Sequence, residues 1–135
     1  MAAAGWHSTL EARRISAAGA DLKAASNCLV KYVLHSDQIP PATYFSTSCR
    51  KRDPWGEPVI YFNAADNEAI APGMASLALN ANGINKNNIA WVLVSKGPNK
   101  TSECALTAGS VTCTGGDDLY YYVSVEKLYE QISKN

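Results

Sequence analysis

The sequence predicts an α+β fold, in which a long N-terminal helix packs on an antiparallel sheet of three or more strands and a short helix ends the chain. Three observations support this. Apolar residues recur every three or four positions between Ile15 and Val33, as on one face of a helix. Apolar, β-prone runs at 59–62 and 89–95 are bounded by Pro, Gly and Asn. The segments between these runs are too irregular for βαβ units, which favours an antiparallel sheet.

The composition is that of one globular domain without bulk charge. The chain has 135 residues, of which 47% are hydrophobic and 18% are charged. Lys+Arg and Asp+Glu both number 12, so the net charge is zero. This balance argues against nucleic acid or an anionic membrane as a partner. No apolar run approaches the roughly 20 residues that a membrane span needs.

The first predicted element is a helix over residues 8–35. Its apolar stripe consists of Ile15, Ala18, Leu22, Ala25, Leu29 and Val33. The helix would be about 40 Å long, and we expect one end to protrude from so small a domain. Residues 1–7 are interpreted as a remnant foreign to the domain or as a truncated start of the helix. Pro40 and Pro41 lie beyond its end, and residues 36–58 connect it to the sheet.

That connection ends in a rigid corner formed by Asp53, Pro54, Trp55, Gly56 and Pro58. Pro54 pushes Asp53 away from helical geometry, and the Asp53 carboxylate can accept hydrogen bonds from N–H groups just downstream. Trp55 offers a large apolar face as an anchor, while Gly56 permits a backbone conformation closed to other residues. Pro58 suits the start of a strand because it lacks an N–H group. The residue types predict a structural rather than a catalytic element.

Residues 59–123 form the predicted sheet region. Its strands are expected at Val59–Phe62, Ile89–Ser95 and Leu119–Val123. The second run is nearly all apolar, which predicts a central strand.

Between the first two strands, residues 65–79 can hold a short helix that is broken at Pro72-Gly73. The Asn-rich tract 80–88 is expected to be polar and turn-prone. Residues 124–135 form the predicted C-terminal helix, with Ser124 as its N-cap.

Four cysteines allow three disulfide pairings, and none of them lies in a C-x-x-C pair. We favour the two local pairings, Cys28–Cys49 and Cys104–Cys113. Disulfides would place the protein in an oxidising compartment. The alternative is four buried free thiols in a cytosolic protein.

The sequence contains no motif that predicts an active site. The sequence has no Gly-rich phosphate loop and no justified Ser-His-Asp set, so we do not expect an enzyme. The turn at Asp117 and Asp118 has two carboxylates beside glycines, which suits Ca²⁺, although a capped turn without metal is the alternative. The basic run Arg50, Lys51 and Arg52 is either a solvated loop or an anion-binding site.

Four segments, in this order, resemble the globular part of type IV pilin-like proteins, and the nearest likeness is to the major pseudopilin of type II secretion systems. These segments are the helix from Arg13-Arg14 to Tyr32, Pro40-Pro41, Asp53-Pro54-Trp55-Gly56-Glu57-Pro58 with Tyr61, and Trp91 to Gly97 followed by Gly116-Asp117-Asp118-Leu119 and Ser124. The Asp-Pro-Trp-Gly corner is the specific part, and the helix is generic. The family's hydrophobic N-terminal segment is missing from this sequence, and neither the 63–88 tract nor the cysteines are general family features.

The resemblance implies a pilin-like fold and a structural subunit of a bacterial type IV pilus or type II secretion filament. Such a subunit assembles through its N-terminal helix with copies of itself, with other pilin or pseudopilin subunits and with an inner-membrane assembly platform. Its head faces the periplasm while the native helix is anchored in the inner membrane, and the filament later lies in the periplasm or at the cell surface. Calcium at Asp117 and Asp118 is also implied.

The alternative is a minor pilin or a periplasmic binding module that recognises a ligand such as DNA or a surface. Arg50, Lys51 and Arg52, with Tyr44 and Phe45 nearby, would then be the residues that bind it.

Overall fold

A computed structural model describes the backbone of residues 2–114 and 118–134, and the side chains from Leu10 onward within those ranges. The helices are α1 (Ala2–Ser36), α2 (Ala42–Tyr44) and α3 (Val125–Lys134), and one π-helical turn spans Phe45–Cys49. The strands are β1 (Ile60–Asn63), β2 (Leu77–Ala81), β3 (Ile84–Ser95), β4 (Cys104–Thr107), β5 (Ser110–Cys113) and β6 (Leu119–Ser124). The predicted α+β arrangement, with a long helix on a sheet and a short terminal helix, is confirmed.

The long helix α1 packs only part of its length on the sheet. Ala18, Leu22, Ala25, Leu29 and Val33 are buried, as the three-and-four spacing predicts. Ile15, the first member of the predicted stripe, is instead 42% exposed. The helix begins at Ala2 rather than at residue 8, so residues 2–7 extend it. No helix among the described residues is long and apolar enough to cross a membrane.

The strand β3 is the centre of the sheet. It pairs antiparallel with β1 and with β6 on opposite edges between Trp91 and Val94. Its first half pairs antiparallel with β2, which pairs in turn with β5, and β4 follows β5. The three predicted strands, β1, β3 and β6, pair antiparallel as expected, but the additional strands β2 and β5 run parallel, so the sheet as a whole is mixed.

Both faces of β3 are buried, which explains its continuous apolar sequence. Trp91 and Leu93 belong to a helix-side core, which also contains Leu22, Ala25, Leu29, Val33, Ile39, Phe45, Cys49, Val59, Ile70, Ala90, Val123, Val125 and Leu128. Val92 and Val94 belong to a sheet-side core, which also contains Leu77, Leu79, Ala81, Ile89, Cys104, Val111 and Cys113. The second core forms because β2, β5 and β4 curl over the face of β3 that α1 does not cover.

The predicted helix within residues 65–79 is absent from this part of the structure. The backbone of Ile39 instead pairs with Asn67 and Glu68, with N···O distances of 3.0 Å and 2.8 Å. Asn67 adopts a positive φ of 59°, which interrupts helical geometry. The region is therefore held against the end of α1 by backbone hydrogen bonds.

The polar tract 80–88 forms most of the β2–β3 hairpin rather than a loop. Asn82 and Gly83 at its tip both have positive φ, 48° and 85°. Asn-Gly is the residue pair that such a two-residue turn favours. The exposed side chains of β3 from Ile84 to Asn88 account for the polar composition of the tract.

Candidate functional site

The corner after residue 52 is organised by one buried carboxylate. Asp53 is 5% exposed, and its Oδ1 accepts hydrogen bonds from the backbone N–H groups of Trp55 (3.0 Å) and Glu57 (2.9 Å). Its Oδ2 accepts a hydrogen bond from the hydroxyl of Ser95, at 2.8 Å. Gly56 has a φ of +85°, which closes the turn in a conformation that favours glycine. The carboxylate therefore ties the corner to the end of the central strand β3.

Further contacts fix the corner from outside. Arg52 donates to the carbonyl of Gly56 at 2.7 Å, and its backbone forms an isolated bridge with Pro58. Lys96 forms an ion pair with Glu57 at 3.4 Å. These contacts and the Asp53 hydrogen bonds make the corner a rigid structural element.

The outer side of the corner faces the first described turns of α1. Trp55 and Pro54 line a groove of about 410 Å³ together with Glu11 and Arg14 from the helix and with Pro98 and Lys100 from the following turn. The Trp55 Nε1 donor and the Glu11 Oε1 acceptor are both buried, and neither has a hydrogen-bond partner in the described part of the chain. Trp55 is thus placed between the corner and the helix, rather than in the main core.

The tyrosine that follows the corner is a packing residue. Tyr61 stacks on Phe45, with ring centroids 5.0 Å apart, and donates from its hydroxyl to the carbonyl of Pro40 at 2.6 Å. Burial raises the pKa of Tyr61 above its ordinary value. The side chain links the connection after α1 to β1.

The three basic residues before the corner do not form a joint patch of free cations. Lys51 forms an ion pair with Asp21 at 3.8 Å, and Arg52 is used within the corner. Arg50 is exposed, while the nearby Phe45 is only 6% exposed. The aromatic ring is thus unavailable for stacking on a base, and anion binding at Arg50, Lys51 and Arg52 stays a prediction.

Both favoured disulfides are present. Cys28–Cys49 joins α1 to the π-helical turn, and Cys104–Cys113 joins β4 to β5 across their hairpin. All cysteines are therefore paired, and the alternative of four free thiols is wrong for this structure. The first bridge borders the helix-side core and the second borders the sheet-side core.

The acidic turn before β6 is described only from Asp118, because Asp117 lies outside the described residues. Asp118 Oδ2 accepts a hydrogen bond from the backbone N–H of Glu103 at 2.8 Å. Burial raises the pKa of Asp118 above the usual aspartate range; the hydrogen bond from Glu103 opposes this rise, and the Glu103 carboxylate adds to it.

These residues suit a cation in part. Asp118 Oδ1 is buried without a hydrogen-bond partner among the described residues, and a cation would satisfy it. Ca²⁺ takes six to eight oxygen ligands, however, and no group of three or more His, Cys, Asp or Glu side chains occurs in the ranges described. Further ligands would have to be carbonyl oxygens or residues 115–117, so calcium at this turn stays a prediction.

Two buried serines were missed in the sequence. Ser95 lies at the end of β3 and donates to Asp53, and Ser26 on α1 accepts a hydrogen bond from Trp91 Nε1 at 3.1 Å. Both are 1% exposed or less. The only sign of a buried, hydrogen-bonded serine in the sequence is its place within an apolar stripe or an apolar run. The sequence does not show which residue it bonds to.

The chain matches no protein-family model, no curated protein and no solved structure.

Proposed function

We propose that the protein is a structural subunit of a bacterial filament, a pilin or pseudopilin of a type IV pilus or of a type II secretion system. The observation that carries the proposal is the division of α1 into two parts. Its C-terminal part is buried on the sheet from Ala18 to Val33, whereas residues 12–17 are all exposed. The exposed side chains of residues 12–17 can pack against helices of neighbouring subunits, beside the groove in which Glu11 and Arg14 face the corner.

The length of α1 supports this use. Its 35 residues form a rod of about 50 Å, and the buried positions from Ala18 to Val33 take up less than half of that length. Ile15 is exposed on the outer part although it continues the apolar stripe, and so it can contribute to a contact with another subunit. A heterologous contact of this kind, repeated without closure, builds a helical fibre.

The corner and the disulfides support the same proposal. The Asp53 carboxylate, with Trp55 and Gly56, forms the turn for which the sequence resembles pilin-like proteins. Two disulfides suit a head in the periplasm or at the cell surface. Proposed partners are other copies of the chain, other pilin or pseudopilin subunits, and an inner-membrane platform that receives a membrane-anchored N-terminal helix.

The proposal is tested first on the native gene. We expect the coding sequence upstream of Met1 to encode an apolar stretch of roughly 20 residues, with a glutamate near its start and a glycine just before it. The full-length protein, expressed with its assembly system, should then form filaments in electron micrographs. A native start at Met1, or a conventional cleaved signal peptide, would overturn the proposal.

A matched pair of variants separates assembly from folding. Ile15→Asp places a charge on the exposed part of α1, and we expect filaments to be lost while the head keeps its melting temperature. Leu34→Asp changes an equally exposed residue at the other end of the helix and serves as the control. Equal assembly by both variants would argue against a filament contact at the outer part of α1.

A further inference from the structure

The groove between the corner and α1 is walled by three separate segments of the chain. Its volume of about 410 Å³ is within the usual range for sites that hold small molecules. The lining residues are Glu11 and Arg14 of α1, Pro54 and Trp55 of the corner, and Pro98 and Lys100 of the turn after β3. The ion pair between Lys51 and Asp21 of α1, at 3.8 Å, ties the helix to the segment before the corner.

Ser95 holds the other two walls together. Its hydroxyl donates to Asp53 Oδ2 of the corner at 2.8 Å and accepts a hydrogen bond from the N–H of Gly97 at 3.4 Å. The backbone N–H of Lys100 donates in turn to the carbonyl of Gly97 at 3.1 Å, which closes the turn after β3. The shape of the groove is therefore set by the fold, and a ligand has little to reorder when it binds.

The groove contains one buried donor and one buried acceptor that are both unpaired. Trp55 Nε1 and Glu11 Oε1 have no hydrogen-bond partner in the described ranges. Native structures leave few buried polar groups in this condition, because each one costs the free energy of its lost hydration. Arg14 and Lys100 are exposed, and neither forms an ion pair with a described residue. Four polar groups of the groove are thus available to a ligand.

The signs of the charges in the groove select the class of ligand. The Glu11 carboxylate opposes a ligand with negative charge alone, whereas Arg14 and Lys100 oppose a ligand with positive charge alone. We propose that the groove binds a small zwitterion of the α-amino-acid class. The carboxylate of the ligand accepts hydrogen bonds from Trp55 Nε1 and from the two cations, and its ammonium donates to Glu11 Oε1.

The rest of the lining favours an amino acid with an apolar side chain. Pro54, Pro98 and the ring of Trp55 are the apolar groups that the groove presents, and they can pack against such a side chain. The inference goes beyond the proposed filament function and does not depend on it, because every residue that it uses lies in one copy of the chain.

The first test is isothermal titration calorimetry of the protein with each of the standard α-amino acids. We expect at least one amino acid with an apolar side chain to bind with a Kd below about 1 mM. Its N-acetyl derivative lacks the ammonium and its amide lacks the carboxylate, so each should bind at least about tenfold more weakly. Absence of saturable binding by every amino acid up to about 10 mM would overturn the inference. Equal binding of the N-acetyl derivative or of the amide would also overturn it, because one charge would then suffice.

A second test assigns the two ends of the ligand to residues of the groove. Glu11→Gln removes the charge and keeps the size of the side chain, so it should weaken the amino acid at least about tenfold without weakening the N-acetyl derivative. Trp55→Phe keeps an aromatic ring without the N–H donor, and it should weaken both ligands. Glu126→Gln makes the same change as Glu11→Gln on an exposed residue of α3 and should bind like the wild type. Melting temperatures confirm that each variant is folded. Equal affinities of Glu11→Gln and Glu126→Gln for the amino acid would overturn the inference.

Discussion

The two faces of β3 are buried by different kinds of structure. The helix-side core is covered by α1, a regular element whose apolar stripe is visible in the sequence. The sheet-side core is covered by β2, β5 and β4, short strands whose sequences are polar or mixed. Each core has its own disulfide. One strand therefore takes part in two cores. The helix-side core can be predicted from the spacing of apolar residues in α1, whereas the sheet-side core forms only because the sheet curls on itself.

The largest expected effect comes from the centre of the helix-side core. Trp91 is fully buried and donates to Ser26. Trp91→Ala should lower the free energy of unfolding by about 3–5 kcal/mol, because it leaves a large cavity. Val92→Ala, on the opposite face of the same strand, should lower it by roughly 2 kcal/mol. Urea denaturation measures both. Equal losses would contradict the larger cavity that is expected at Trp91.

The two disulfides allow the cores to be compared by the loss of stability when each bridge is removed. Their sequence separations are 21 and 9 residues. By the loop-entropy relation, removing Cys28–Cys49 should cost about 3.3 kcal/mol and removing Cys104–Cys113 about 2.6 kcal/mol. The measurement is chemical denaturation of the two double Cys→Ala variants. A larger loss at Cys104–Cys113 would show that the β4–β5 hairpin depends on its bridge for more than entropy.

The buried hydrogen bond of Ser26 lies in the helix-side core. Among the described residues the buried polar side chains are Ser26, Asp53 and Ser95, and none of them belongs to the sheet-side core. Ser26→Ala leaves Trp91 Nε1 without a partner and should cost about 1–2 kcal/mol. A double-mutant cycle with Trp91→Phe isolates the interaction, because Phe removes the donor and keeps an aromatic ring. Free energies of unfolding that simply add would mean that the hydrogen bond contributes nothing.

The smallest effect is expected outside both cores, at Asp118. Its folded-state pKa is raised, so the folded chain holds this proton more tightly than the unfolded chain does. The resulting stability is present below the unfolded-state pKa and is lost as pH rises through the folded-state pKa. The stability of Asp118→Asn relative to wild type should therefore be greater at about pH 7 than at about pH 3, in denaturation experiments with a chelator.

The same variant tests calcium. If Asp118 helps to bind Ca²⁺, adding calcium should raise the melting temperature of the wild type and leave Asp118→Asn unchanged. Asp117→Ala should also lose the response. A wild-type melting curve that is the same in calcium and in chelator would contradict a cation site at this turn.

The elements with a regular pattern were predicted most closely. The stripe from Ala18 to Val33 gives the buried face of α1, and Ser124 accepts the hydrogen bond of Lys127 N–H at 3.1 Å as the N-cap of α3. The local disulfides were also predicted. The strands β2, β4 and β5 were missed. Most of β2 lies within residues 65–79, for which the sequence favoured a short helix, and β4 and β5 have only four residues each, too few to show a clear alternation. The Asn82-Gly83 pair was the available signal for the β2–β3 hairpin.

By itself the sequence determined the local structure: a long helix with one apolar face, a corner governed by Asp53 and Gly56, a central apolar strand and a capped terminal helix. These follow from periodicity and backbone preference, which act over a few neighbouring residues. Only the tertiary structure decided that Ser95 meets Asp53, that β2 pairs parallel with β5, and that β6 pairs with β3. These contacts join residues that are distant in the chain, and they depend on how the sheet curls to bury both faces of β3.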